Sequence, residues 1–444
     1  MAMNSTSTTP LVPRIGHWLP ANHDIIRHWL SNLIEYVDSH KRDLDSVLQE
    51  FQDFIEGDEH VEKLACLMFK QVPNKAPYDK DPTGKPQVRD YRHMFRLFNE
   101  ILVRAPEWSK AADEVGLIGF PINAIIDWPM GTEAGFEFFK MRHVNRHFKN
   151  VLNKWAEFLS SGDSTHVLNE DEEGWFSPEA IKALEDKGNN VVSLSTEYTF
   201  EQLYICDPSA KHLGFKSWDD FFTRKFCDGI RPVASPEENS VIVNACESAP
   251  WRRSENVQLK DEFWLKEQPY SLIDIMNGDD LASEFAGGTV YQAFLSALSY
   301  HRWHSPVDGK VLKILKIPGT YYSENRYEGF PDPDPAGPDR SQGYIAEVAT
   351  RSVIFIKAEN DSIGLMCIVH IGMSEVSSCE YTVAEGYNVT KGEEIGMFHY
   401  GGSTHCLIFR PEVNLKWSYD VPDGSWDAGN IPVNSVLAVV DTSM

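Results

Sequence analysis

The hydrophobic pattern changes period once along this 444-residue chain, and that change constrains the fold more than any other feature. Before residue 160 apolar side chains recur at three- and four-residue steps, the spacing of one helix face. Ile26, Leu30, Leu33, Ile34 and Val37 form one such set, and Leu48, Phe51, Phe54 and Ile55 a second that Gly57 is placed to end. Met94, Phe95, Phe98, Ile101 and Leu102 form a third, stopped by Pro106. Gly135 to Leu159 predicts the longest helix, through Phe139, Val144, Phe148, Val151, Leu152, Trp155 and Leu159. After about residue 235 the texture becomes short β-rich runs: 240–245, 309–317, 352–358, 365–371 and 435–440. A helical domain followed by a β-rich one makes the class α+β.

The expected organisation is a disordered tail over 1–20, a helical domain over 21–165, a linker over 166–195 and a catalytic domain over 196–444. The polar, acidic run 160–175 marks the linker, and a short helix over 178–187 follows it. The formal net charge is −25, which repels phosphate backbones and anionic membranes and argues against nucleic acid as a partner. No apolar run reaches ~18 residues, so no stable membrane insertion is expected. Seven cysteines without a C-x-x-C pair read as reduced thiols of a cytoplasmic protein rather than a disulfide framework or zinc site.

The sequence holds no P-loop, no G-x-G-x-x-G after a strand, no G-x-S-x-G elbow and no H-E-x-x-H. His143 and His147 have zinc-ligand spacing, but Val144 stands where a metalloprotease needs glutamate, so they read as a solvated or core-edge helix face. The Pro/Asp run 329–339 reads as a solvated loop, since its spacing does not match a calcium-binding EF-hand. No metal is expected. Three segments carry more. Tyr300-His301-Arg302-Trp303-His304-Ser305-Pro306 places two histidines, suited to proton transfer near neutral pH, before an Asp308-Gly309 turn; two histidines packed in an aromatic core would look the same. Lys391 to Thr404 ends in Gly401-Gly402-Ser403, where a serine hydroxyl can reach the preceding carbonyl, or where a plain turn sits. Gly214 to Phe226 is an aromatic amphipathic helix ending in basic residues, followed by Arg231-Pro232.

In this order the segments resemble the phosphatidylserine decarboxylase family of pyruvoyl-dependent enzymes, over about residues 200–444. The N-terminal helices resemble the extension of a soluble fungal branch that acts on L-tryptophan. The resemblance implies autocatalytic cleavage between Gly402 and Ser403 into a β chain, 1–402, and an α chain, 403–444. It implies that Ser403 becomes the pyruvoyl cofactor, with no pyridoxal phosphate, and supplies the electron sink that decarboxylation requires. It further implies His304 as the base of self-cleavage and His301 as the donor that protonates the α-carbon. Where the family carries Asp-Gly this chain has Cys246-Glu247, so Glu247 is the candidate to orient His304, at a geometry altered by one methylene. His405 either lines the pocket or points away.

The implied function is decarboxylation of an aromatic L-amino acid, L-tryptophan to tryptamine first. The alternatives are conversion of phosphatidylserine to phosphatidylethanolamine, and a non-catalytic binding protein on the same fold. Residues 383–393 also resemble a biotinyl or lipoyl carrier turn, but no modifiable lysine stands in the expected place. The partners implied are a small amino acid and the chain's own two fragments, with homo-oligomerisation open.

Overall fold

The computed structural model describes residues 23–74, 81, 84–108, 120–191, 196–261, 269–324, 341–375, 378–400, 403–421 and 429–441. The expected tail, the 329–339 loop and the glycine pair before Ser403 lie outside them. The helical part begins with α1 (His23–Ser39), α2 (Ser46–Glu56), α3 (Glu59–Lys70) and α4 (Tyr91–Ile101). It continues through α5 (Pro121–Met130), α6 (Glu133–Lys140) and α7 (Arg142–Leu159). Side-chain caps start several of them: Asp45, Asp58, Asp90 and Thr132 each accept from a first-turn N–H.

The faces read from the sequence are the buried ones. Leu30, Leu33, Ile34, Leu48, Phe51, Ile55, Met94, Phe95, Phe98, Val144, Phe148, Val151 and Trp155 share one core. Each large side chain contributes roughly 1.5–3 kcal/mol by burial. His147 stacks between Phe51 and Phe54 at 4.9 and 4.7 Å, the core-edge one of the two arrangements expected.

Two expectations change here. The helix predicted over Gly135 to Leu159 is two helices, broken at Met141, whose ψ of 125° is extended. Asn145 stabilises the break: its Nδ2 donates to the Phe139 and Met141 carbonyls at 2.7 and 3.0 Å. Within the segment 166–195, expected as a linker, residues 167–184 pack against the helical core instead. Val167, Leu168, Trp175 and Phe176 are buried there, and Trp175 Nε1 donates to the Pro106 carbonyl at 2.7 Å. The four apolar residues of 166–176, set among acidic ones, outweigh the polar average. The same core takes in α8 (Pro178–Asn189), α9 (Phe200–Leu203) and α10 (Trp218–Phe222).

The rest is sheet, with two short helices, α11 (Leu272–Ile275) and α12 (Gln342–Val348). The strands are β1 (Val241–Val243), β2 (Ala249–Ser254), β3 (Thr289–Leu295), β4 (Arg302–His304), β5 (Gly309–Ile317), β6 (Arg351–Ala358) and β7 (Leu365–Gly372). They continue as β8 (Ser378–Tyr381), β9 (Asn388–Val389), β10 (Glu394–His399), β11 (Ser403–Phe409), β12 (Leu415–Trp417) and β13 (Val436–Val440). A seven-stranded antiparallel sheet runs β2-β3-β11-β7-β6-β5-β9, beside three-stranded sheets β4-β10-β8 and β1-β13-β12. Strand β11 is central and buried at every position, with β3 on one side and β7 on the other. The chain thus carries Ser403 to the head of the best-protected strand.

Candidate active site

Ser403 opens β11 with Leu295 of β3 and Gly372 of β7 as its register partners. Its Oγ is buried and makes no hydrogen bond. An orphaned hydroxyl in a sheet core is costly, about 1–3 kcal/mol, and is the kind of feature that structure alone does not reward.

The sequence upstream of Ser403 is held from two sides. Aromatic helix α10 supplies Trp218, stacked on Tyr400 at 6.3 Å, and Phe222, stacked on His301 at 4.1 Å and 19°. Asp219 of the same helix accepts from His399 Nδ1 at 2.9 Å, while Glu380 meets Nε2 at 3.1 Å. The motif 214–226 therefore works as the bracket for the segment that leads into Ser403.

The two histidines of the second motif lie on opposite sides of this arrangement. The His301 carbonyl accepts from Phe398 N at 3.0 Å, so His301 is level with the end of β10 that continues to Ser403. His304 pairs with Glu394 at the other end, three residues or ~10 Å further along. Its Nδ1 lies 2.7 Å from the Gly392 carbonyl and its Nε2 3.0 Å from the Tyr300 hydroxyl. A carbonyl only accepts, so Nδ1 carries the proton and Nε2 accepts from Tyr300. Burial pushes the His304 pKa down, keeping the ring neutral at pH 7.

Glu247, expected to orient His304, is placed otherwise. Its carboxylate is buried against Arg231, with Oε1 2.6 Å from Nη2 and Oε2 3.0 Å from Nε. Oε2 also accepts from Val433 N at 2.8 Å. Both oxygens are engaged, and Gly392 takes the orienting role on His304. The reason is the Arg-Pro pair of the third motif: a fork-shaped guanidinium satisfies a carboxylate bidentately, which an imidazole cannot do. Arg231 then stacks on Phe226 at 4.5 Å, and Phe226 on Tyr300 at 4.4 Å, so Glu247 reaches His304 through packing and through its charge, without a hydrogen bond.

Other candidates resolve simply. His405 is buried two residues below Ser403, opposite His370 of β7, and burial pushes its pKa down to about 3. His370 stacks on Trp303 at 3.7 Å. Both imidazoles are thus neutral. Burial also raises the thiols of Cys246 and Cys406, which removes them as nucleophiles, and all seven cysteines are unpaired. Lys391 sends its ammonium inward to the carbonyls of Ser235, Glu238 and Val241, unlike the exposed lysine of a carrier turn. Among the described residues no group of three or more His, Cys, Asp or Glu could hold a metal.

Sequence reasoning passed over Glu375. It follows Gly372, the partner of Ser403, by three residues and is buried. Its Oε1 accepts from Asn123 N at the start of α5, 2.8 Å away, and its Oε2 makes no hydrogen bond. Ser374, at a left-handed φ of 52°, donates to Asn123 Oδ1 at 2.9 Å and so fixes the turn. The signal available was a lone glutamate directly after an apolar strand.

A cleft of about 1070 Å³ lies along α8 and residues 196–199 and contains none of these groups. A second, of about 590 Å³, opens between α7 and the sheet, lined by Lys149, Asn153, Tyr321, Tyr381 and His399.

A buried serine heading a central strand, backed by an ordered histidine-bearing edge, is the arrangement of an enzyme site. Family models for phosphatidylserine decarboxylase match residues 45–184 and 218–426. The chain is 40% identical over 359 residues to "Decarboxylase iboD" of Amanita muscaria, covering 78% of this chain and 99% of that protein. It is 34% identical over 432 residues to the L-tryptophan decarboxylase of Psilocybe cubensis, covering 94% of this chain and 92% of that one. Similarity to phosphatidylserine decarboxylase proenzyme 3 of Schizosaccharomyces pombe is 30% over 200 residues, 45% of this chain and 19% of that protein. The chain belongs to the phosphatidylserine decarboxylase family and is a decarboxylase of this pyruvoyl-dependent class.

Proposed function

We propose that this chain decarboxylates an aromatic L-amino acid, L-tryptophan first, after splitting itself between Gly402 and Ser403. The observation that carries the reading is the Ser403 hydroxyl, buried and unpartnered at the head of β11. Such an oxygen is free to attack the carbonyl before it, giving an ester. Removal of the serine α-proton then breaks the ester by β-elimination, and hydrolysis of the new terminus releases ammonia. A pyruvoyl group formed there would supply the electron sink for the electrons left when carbon dioxide departs.

The residues divide the rest. His301, which the resemblance implies as the α-carbon proton donor, stands at the Ser403 end of the β4–β10 edge, so it replaces His304 as the candidate base of self-cleavage. His304 holds the Gly392 turn and Tyr300, so it acts by positioning. Glu247 with Arg231 supports that edge. The relatives favour a free amino acid over a lipid, since the tryptophan-acting one covers nearly the whole chain and the lipid-named one less than half. No helix among the described residues is long and apolar enough to cross a membrane, and unpaired cysteines suit a cytoplasmic enzyme. The family models favour phosphatidylserine as the second reading.

Purified protein on a denaturing gel should show fragments of about 45 and 5 kDa (402 and 42 residues at ~0.11 kDa each). Ser403→Ala should abolish splitting and turnover together. Turnover of L-tryptophan, L-tyrosine, L-phenylalanine and phosphatidylserine is then compared. Carbon dioxide from the lipid alone would overturn the amino-acid assignment.

A further inference from the structure

We infer that Glu375 is a catalytic residue of the decarboxylation: seated by the start of α5, it delivers the proton that replaces carbon dioxide on the substrate α-carbon. The inference rests on the proposed function above. Three observations lead to it. The first is position. Gly372 is the register partner of Ser403, and the chain turns immediately beyond it, so Glu375 lies at the same end of the sheet as the reacting serine. The Ser374 N–H, bonded to the Tyr321 carbonyl at 3.1 Å, ties that turn down.

The second is unmet hydrogen bonding. Glu375 Oε2, Asn123 Nδ2, Tyr322 Oη and Ser403 Oγ are all buried and make no hydrogen bond. Buried polar atoms are normally paired. Four unpaired ones from segments brought to one sheet end, with one carboxyl oxygen already fixed by Asn123 N, describe a site awaiting a polar ligand. Space exists beside it. Gly372, Met373 and Ser374 line a void of about 10 Å³, room for roughly one water. Tyr321 lines both that void and the 590 Å³ cleft.

The third is protonation. Burial pushes the Glu375 carboxyl up to about 8, against the pull of the Asn123 N–H, its own N–H and the Ile122 N–H. It is therefore a neutral acid at pH 7. Tyr322, from the segment beside the turn, is itself held neutral by burial. On α5 the nearest ionisable side chain is Asp127, one turn below Asn123.

The step balances. Loss of carbon dioxide leaves an electron pair for the α-carbon, the Glu375 O–H bond breaks, and its proton forms the new C–H bond. The carboxylate takes a proton back from water before the next turnover. The N-terminal helical domain thereby acquires a task, since α5 supplies the groups that hold Glu375.

Glu375→Gln preserves the Asn123 contact but has no acidic proton. It should split on a gel like the parent, with KM for L-tryptophan within about threefold and kcat lowered about 100-fold or more. The parent's kcat should be flat below about pH 8 and fall above it, and the variant should lack that limb. Glu375→Asp should recover part of kcat. Infrared spectra of unsplit Ser403→Ala protein should show protonated-carboxyl absorption that titrates near pH 8, part of it from Glu347, which burial also pushes up to about 8, and the difference spectrum against Ser403→Ala/Glu375→Gln should isolate one such band. A variant with kcat within threefold and the same alkaline limb, or a parent with no such band, overturns the inference while leaving the decarboxylase reading intact. A wild-type chain that neither splits nor turns over L-tryptophan defeats the reading itself.

Discussion

Replacing Glu247 by glutamine separates a structural carboxylate from a catalytic one. The side chain keeps its shape and its hydrogen bond from Val433 N, but Arg231 loses its counter-charge while 4% exposed. Breaking a buried ion pair by removing one partner costs about 3–5 kcal/mol, because the remaining charge stays desolvated. At ~2–4 °C per kcal/mol, the midpoint of thermal unfolding should fall by about 6–20 °C. Replacing both partners, as Glu247→Leu with Arg231→Met, should recover most of that loss, since a well-packed apolar pair of similar volume is close to neutral. The assay is a thermal melt of the three variants in the unsplit Ser403→Ala background, with a splitting time course on otherwise wild-type protein at low temperature. The expected result is a large melting shift with splitting slowed less than about threefold. An unchanged midpoint with splitting abolished would refute this account and restore Glu247 as the partner of His304.

Two further outcomes are specific. His301→Gln should leave the chain largely unsplit at times when His304→Gln is mostly split; the reverse order on a gel would contradict the placement of His301 nearer Ser403. Glu375→Gln should also stabilise the fold at neutral pH. A carboxyl raised from 4.5 to about 8 disfavours the folded state progressively as pH climbs between those values. The cost at pH 7 is about 3 kcal/mol, so urea midpoints should separate at pH 8 and converge near pH 4.

The sequence read well where local pattern and packing agree. The faces of α1, α2, α4 and α7 were set by helical spacing, and β5 to β7 by alternation and composition. It read less well where a partner comes from far away. Met141 breaks a continuous apolar stripe because Asn145 reaches back to it, and no periodicity reports that contact. Trp175 and Phe176 fold a segment whose average composition says linker. Strand β11 begins at the residue where motif reasoning left a plain turn as one alternative. Glu247 and Arg231 were both noticed, but their pairing needs coordinates. Glu375 gains its setting from Asn123, 252 positions earlier in the chain, so no window of sequence contains the site.

The claim beneath the rest is that the peptide bond before Ser403 does not survive in the working enzyme. Intact-mass measurement of a preparation that is turning over substrate tests it directly. Two polypeptides are expected, 1–402 ending in a normal carboxylate and 403–444 lighter by one ammonia than a chain starting with serine. A single species at the full 444-residue mass, in a sample that releases carbon dioxide, would contradict it.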